Sequence, residues 1–209
     1  MRMTKTTFIA AATVAATIAG CASMMAEPDR PAQAIAMMKQ SFKPHGQAKL
    51  DRIDQDETQR LCSEYHAGVA LPQDVAQKIQ RTELANIRYP ADGHYLGNWK
   101  AGEKVAQSGR GMQYSDDPKL AAGGNCYACH QLTKAEVSYG TIGPSLLNFG
   151  RIHGFTPAMQ KYAYGKVYNS EAFAACSNMP RFGHNGILTE QQIKDVVALL
   201  MDPDSPVNR

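Results

Sequence analysis

The chain is 209 residues long, with a formal net charge of +3 and 44% hydrophobic side chains. That length holds one compact domain and an extension. Residues 1–20 contain Arg2 and Lys5 and no acid, so the remainder carries 20 basic against 19 acidic side chains, a balance that excludes nucleic acid as a partner.

Arg2 and Lys5 precede an apolar run, Phe8 to Gly20, that is too short to span a bilayer. Residues 1–20 therefore read as an export signal peptide. The run ends in Ile18-Ala19-Gly20-Cys21, which resembles the bacterial lipobox, whose cysteine is acylated and becomes the mature N-terminus. Acyl chains on Cys21 would anchor the protein to a membrane without a spanning helix; ordinary cleavage after Ala22 is the alternative. Residues 21–47, with prolines at 28, 31 and 44 around Ala32 to Met38, read as a tether with one or two helical turns, in which Met37 and Met38 are packing residues.

Residues 48–95 read as a helical extension. Leu50, Ile53, Leu61 and Tyr65 give 48–66 the period of a single helix, with Asp51, Asp54, Asp56 and Glu57 on a solvated face. His66 stands one turn beyond Cys62, but no further Cys or His lies near enough to complete a metal site. Pro72 suits the first turn of a second helix running through Val75, Ala76, Ile79 and Ile87 to about Arg88, where Tyr89-Pro90-Ala91-Asp92-Gly93 breaks it. An arm this small has no independent core and needs the following domain or a partner to pack on.

Residues 96–209 form the main domain. Trp99, Gly102, Val105 and Ala106 recur at helical spacing between Trp99 and Ser108, and Gly102 leaves room for another backbone to approach. Gly109, Gly111 and Asp116-Asp117-Pro118 mark a long loop leading to Cys126-Tyr127-Ala128-Cys129-His130. Two thiols three positions apart at the start of a helix can add to the two vinyl groups of a haem, leaving the adjacent imidazole aimed at the iron. A redox dithiol would follow a strand, and a structural zinc would have a second Cys/His pair; Gly123-Gly124-Asn125 precedes the motif and no second C-x-x-C follows. Pro144, in Thr141-Ile142-Gly143-Pro144-Ser145-Leu146, offers a carbonyl to the other ring nitrogen of His130, which would fix its tautomer; an ordinary turn proline is the alternative.

Thr189-Glu190-Gln191-Gln192 is a capping box with Leu188 and Ile193 as its staple, and it opens a helix whose stripe of Ile193, Val196, Val197 and Leu200 stops at Asp202-Pro203. This helix is expected to close against the Trp99 helix. For the iron's sixth position the first candidate is Met179, followed by Pro180 in a loop rich in Asn, Gly and Arg. Met159 stands at the start of a helix near Pro157, where methionine is usually core, and His153 and His184 are the bis-histidine alternatives. With Cys126 and Cys129 on haem and Cys21 on lipid, Cys62 and Cys176 remain, either as a disulfide or as two buried thiols.

Four stretches together, Cys-Tyr-Ala-Cys-His at 126–130, Gly-Thr-Ile-Gly-Pro-Ser-Leu at 140–146, Ser-Asn-Met-Pro-Arg-Phe-Gly-His at 177–184 and Ile-Leu-Thr-Glu-Gln-Gln-Ile at 187–193, resemble the SoxX family, the monohaem subunits of SoxAX sulfur-oxidation cytochromes. The resemblance spans about Trp99 to Asn208. It implies an all-α class I cytochrome c fold with one covalent haem c on Cys126 and Cys129, its iron held by His130 and Met179. It also implies a periplasmic heterodimer with a SoxA-type subunit, which joins thiosulfate oxidatively to a cysteine of the carrier SoxYZ. The catalysis belongs to the SoxA-type subunit; this chain would hold no catalytic residue and would relay electrons to a small cytochrome c. Two other readings are a free-standing electron carrier docking through Arg151, Lys161, Lys166 and Arg181, and a haem-based gas sensor, which needs a weak or vacant sixth site.

Overall fold

The structure is a computed structural model and describes residues 30–65 and 69–209; the signal segment, Cys21 and His66 lie outside them. The described residues contain α1 (Arg30–Ser41), α2 (Glu57–Glu64), α3 (Gln73–Ala85), α4 (Trp99–Gln107), α5 (Phe149–His153), α6 (Pro157–Tyr168) and α7 (Glu190–Met201). Short 3-10 turns lie at Leu50–Ile53, Cys126–Ala128, Ser170–Ala172 and Pro206–Asn208, and no strand occurs among the described residues.

The core is built on α7. Thr189 accepts the Gln192 amide while the Gln192 side chain accepts the Thr189 amide, which starts the helix. Ile193, Val197, Leu199 and Met201 are then completely enclosed, together with Ala106, Leu132 and Tyr164 from other elements. α4 closes on α7 as its spacing predicts: a Cβ on Gly102 would stand 2.0 Å from the Asp195 carbonyl oxygen, so the two backbones touch. Asp195 reinforces the crossing by accepting the Asn98 amide at 2.8 Å. Past the end of α7, Asn208 Nδ2 donates to the Leu200 and Asp202 carbonyls at 3.1 and 2.9 Å, satisfying acceptors the helix leaves open. The same turn takes the Asn148 amide on the Val207 carbonyl at 2.7 Å and so places α5, a five-residue helix with no sequence signal of its own.

Residues 48–66 are not one helix. A 3-10 turn ends at Ile53, and Asp56 restarts the chain as the N-cap of α2, its carboxylate accepting the Gln59 amide at 2.8 Å while Gln59 accepts the Asp56 amide at 2.9 Å. The capping box outweighs the apolar period because it satisfies two helix-terminal donors at once. Pro72 likewise caps α3 from extended backbone instead of entering it, and α3 stops at Ala85, short of Arg88. The tether contains a full helix, α1, because Ala, Met, Gln and Lys are strong helix formers and Pro31 falls where no amide is needed. Met37 on it is 69% exposed, so it does not take the packing role expected of it, whereas Met38 is half-buried.

The arm packs on the domain that follows it. Gln47 Nε2 donates to the Gln113 carbonyl at 2.8 Å and Arg52 to that of Met112. Tyr89 and Tyr95 lie against Tyr164, with ring centroids 5.9 and 5.7 Å away, and Tyr164 Oη reaches the Arg88 carbonyl at 3.3 Å.

Candidate haem site

Backbone hydrogen bonds hold the pentapeptide from both sides. On one side the end of α4 takes the Gly124 amide on Val105 and the Asn125 amide on Ser108, at 2.8 and 2.9 Å. Gly123 must be glycine there, since a Cβ would lie 2.1 Å from the Ser108 carbonyl oxygen. Asn125 then adopts the left-handed region at φ 46°, and Cys126–Ala128 form a 3-10 turn where an α-helical start was expected. On the other side the Gly140, Gly143 and Leu146 amides donate to Tyr127, Cys129 and Gln131, stitching the Gly-Pro turn across the motif. Tyr127 anchors the motif in the core.

The His130 ring lies on Gly143, whose added Cβ would stand 2.2 Å from Cε1. Its Nδ1 is 2.7 Å from the Pro144 carbonyl oxygen. A carbonyl only accepts, so Nδ1 carries the proton and Nε2 keeps its lone pair for a metal. Cys126 and Cys129 are unpaired thiols. Burial pushes the Cys126 thiol up to about 11, which makes it a neutral sulfur against the core and not a poised thiolate. Two free thiols and one oriented imidazole are the donor set that covalent haem attachment requires.

Met179 lies in the loop between the Ser170–Ala172 turn and α7, partly buried against the same core as Cys126. Its carbonyl accepts the Ser170 hydroxyl at 2.5 Å. Three residues earlier Cys176 is joined to Cys62, with Cα atoms 5.4 Å apart, so these cysteines form a disulfide that ties the arm to this loop. Two residues after Met179, Arg181 is buried on Asp56 and Glu83. That corrects two expectations: Arg181 is removed from any docking surface, and Asp56 is no mere solvated charge. Lys166 also turns inward, donating to the Ser170 carbonyl at 3.3 Å. Of the other candidates for the sixth position, Met159 packs on the core and His153 on Phe149, at 4.7 Å between rings. His184 directs Nδ1 at Asn169 and Glu83, and Nε2 at Arg181.

The cytochrome c family pattern matches residues 116–202, the stretch that holds the pentapeptide, the Gly-Pro turn and α7. The chain is a c-type cytochrome. It has the all-α class I cytochrome c fold and belongs with an Aquifex aeolicus (strain VF5) protein described as an "uncharacterized lipoprotein", to which it is 39% identical over 156 residues, 74% of this chain and 73% of the relative. An alignment of that length does not fit between Leu96 and the C-terminus, so the relationship takes in part of the arm. Among solved structures, SoxXA from P. pantotrophus is similar at 28% identity over 51% of this chain and 82% of that one, with a TM-score of 0.36. As a c-type cytochrome this protein binds haem covalently and serves electron transfer.

Sequence reasoning missed Glu83. Its signal was its place four residues after the enclosed Ile79, on the buried face of α3.

Proposed function

We propose that this cytochrome carries one haem c on Cys126 and Cys129, that His130 and Met179 are its axial ligands, and that Pro144 orients His130. The observation carrying this reading is the 2.7 Å contact from Nδ1 of His130 to the Pro144 carbonyl, which leaves Nε2 for iron. The inward-turned ring nitrogens of His184 and the anchoring of Met179 between Cys176 and Arg181 support the thioether as sixth ligand. When bound, the haem supplies reversible one-electron chemistry. His130 and Met179 together leave no open position for a substrate, which suits a relay and not a gas sensor.

We further propose the role of a SoxX-type subunit, on the four sequence motifs combined. A SoxA-type partner would form the S–S bond between thiosulfate and a carrier cysteine of SoxYZ; the thiol proton is released and two electrons leave. This chain would take those electrons singly and pass them to a small cytochrome c. The Ile18-Ala19-Gly20-Cys21 sequence, and the name of the Aquifex relative, support acylation of Cys21 and a periplasmic protein held on a membrane.

Two measurements test this. Met179→Ala is expected to abolish the weak far-red sulfur-to-iron charge-transfer band, and its survival refutes the ligand assignment. The native protein is expected to copurify with a second cytochrome in fixed ratio and to be reduced by thiosulfate only in its presence; a lone monomer would instead favour a free-standing carrier.

A further inference from the structure

The loop from Asn169 to Leu188 has one 3-10 turn as its regular structure, yet it carries the proposed sulfur ligand. Much of what restrains it comes from the arm. Cys62 of α2 holds Cys176. Glu83 of α3, with 4% of its side chain exposed, takes Arg181 Nη1 at 3.3 Å and Asn169 Nδ2 at 2.7 Å. The hydroxyl of Thr58 donates to Glu83 at 2.5 Å, His184 Nδ1 lies 3.8 Å away, and Asp56 takes the second Arg181 nitrogen. One buried carboxyl thus gathers the loop's start at Asn169 and its far limb at Arg181, with Met179 between them.

We infer that Glu83 is a positioning residue for the sixth ligand: the arm acts as a clamp on the Met179 loop and sets how readily the sulfur leaves the iron. This rests on the reading of Met179 as ligand. Removing Glu83 leaves the buried Arg181 with the half-exposed Asp56 as its remaining carboxylate, a cost borne by the closed loop and relieved when the loop opens. An external ligand at the sixth position binds only the opened form, so its apparent affinity reports the opening equilibrium.

The test uses the full-length ferric holoprotein and cyanide, with the Soret shift as readout. Glu83→Ala is expected to raise the apparent cyanide affinity on the order of 100-fold. Glu83→Gln, which keeps one of the two acceptor oxygens that Thr58 and Asn169 use, should raise it roughly tenfold. The Cys62→Ser/Cys176→Ser pair should move it the same way, and supplies the answer should Glu83→Ala fail to fold. Lys78→Ala, on the outer face of the same helix and 3.6 Å from Glu57, is expected to stay within about twofold. A Glu83→Gln protein that melts earlier but binds cyanide like wild type overturns the inference and leaves Met179 as ligand untouched. If instead Met179→Ala itself leaves cyanide affinity and the far-red band unchanged, the ligand reading fails and the clamp falls with it.

Discussion

Gly143→Ala tests the geometry of the proximal side directly. The new methyl would stand 2.2 Å from Cε1, 2.5 Å from Nδ1 and 2.7 Å from Nε2 of His130, against an ordinary contact of at least 3.4 Å. The imidazole would have to retreat by about 1 Å. That lengthens the 2.7 Å contact with Pro144 beyond hydrogen-bonding range. Gly143 is not among the glycines at positive φ, so alanine adds no backbone strain and the effect comes from the ring alone. Losing a hydrogen bond that water can partly replace costs about 0.5–1.5 kcal/mol. Loss of the carbonyl also makes the imidazole a poorer electron donor, which disfavours ferric iron. Only part of that energy separates the two oxidation states. At about 59 mV per tenfold change for one electron, the reduction potential should rise by some tens of millivolts. Potentiometric titration and equilibrium denaturation of the holoprotein measure both quantities. A variant within about 10 mV and about 0.5 kcal/mol of wild type would show that the ring is not held between Gly143 and Pro144.

Gly102→Ala should destabilise the fold by about 2 kcal/mol in urea melts, although alanine favours a helix interior by about 1 kcal/mol over glycine, because its methyl would enter the Asp195 backbone; any stabilisation refutes the backbone contact between α4 and α7. Acid should loosen the arm through Asp56. Burial raises this carboxyl, but the Gln59 amide and the Arg181 guanidinium outweigh it and leave the group below its ordinary 3.8. A depressed folded value means that the unfolded state binds the proton more readily, so the contribution is present above 3.8 and is lost as pH falls through the lower folded value. Asp56→Asn should therefore be less stable than wild type at neutral pH, with the gap closing in acid; a gap independent of pH would refute the pairing.

Much of the molecule was legible because short-range chemistry specified it. The pentapeptide is a contiguous donor set, the Thr189 capping box is a four-residue pattern, and the stripe of α7 repeats at helical spacing. Gly102 declared a close approach because an isolated glycine inside a helical pattern needs a packing reason. The break at Asp54–Asp56 was misread because the same residues fit both an acidic helix face and a cap, and only the reciprocal bonds with Gln59 decide between them.

The sequence by itself determined the donor set proposed to hold haem and the pairing of α4 with α7, since each follows from neighbouring residues or a fixed period; that α6 adds Ala163, Tyr164 and Val167 to the core did not follow from it. Tertiary structure alone decided that Cys62 meets Cys176, and that Glu83, Arg181 and Asp56 converge on the loop of Met179. Those partners stand 98 to 125 residues apart in the chain. No local pattern encodes a pairing at that distance; it arises from where α2 and α3 come to rest against the domain.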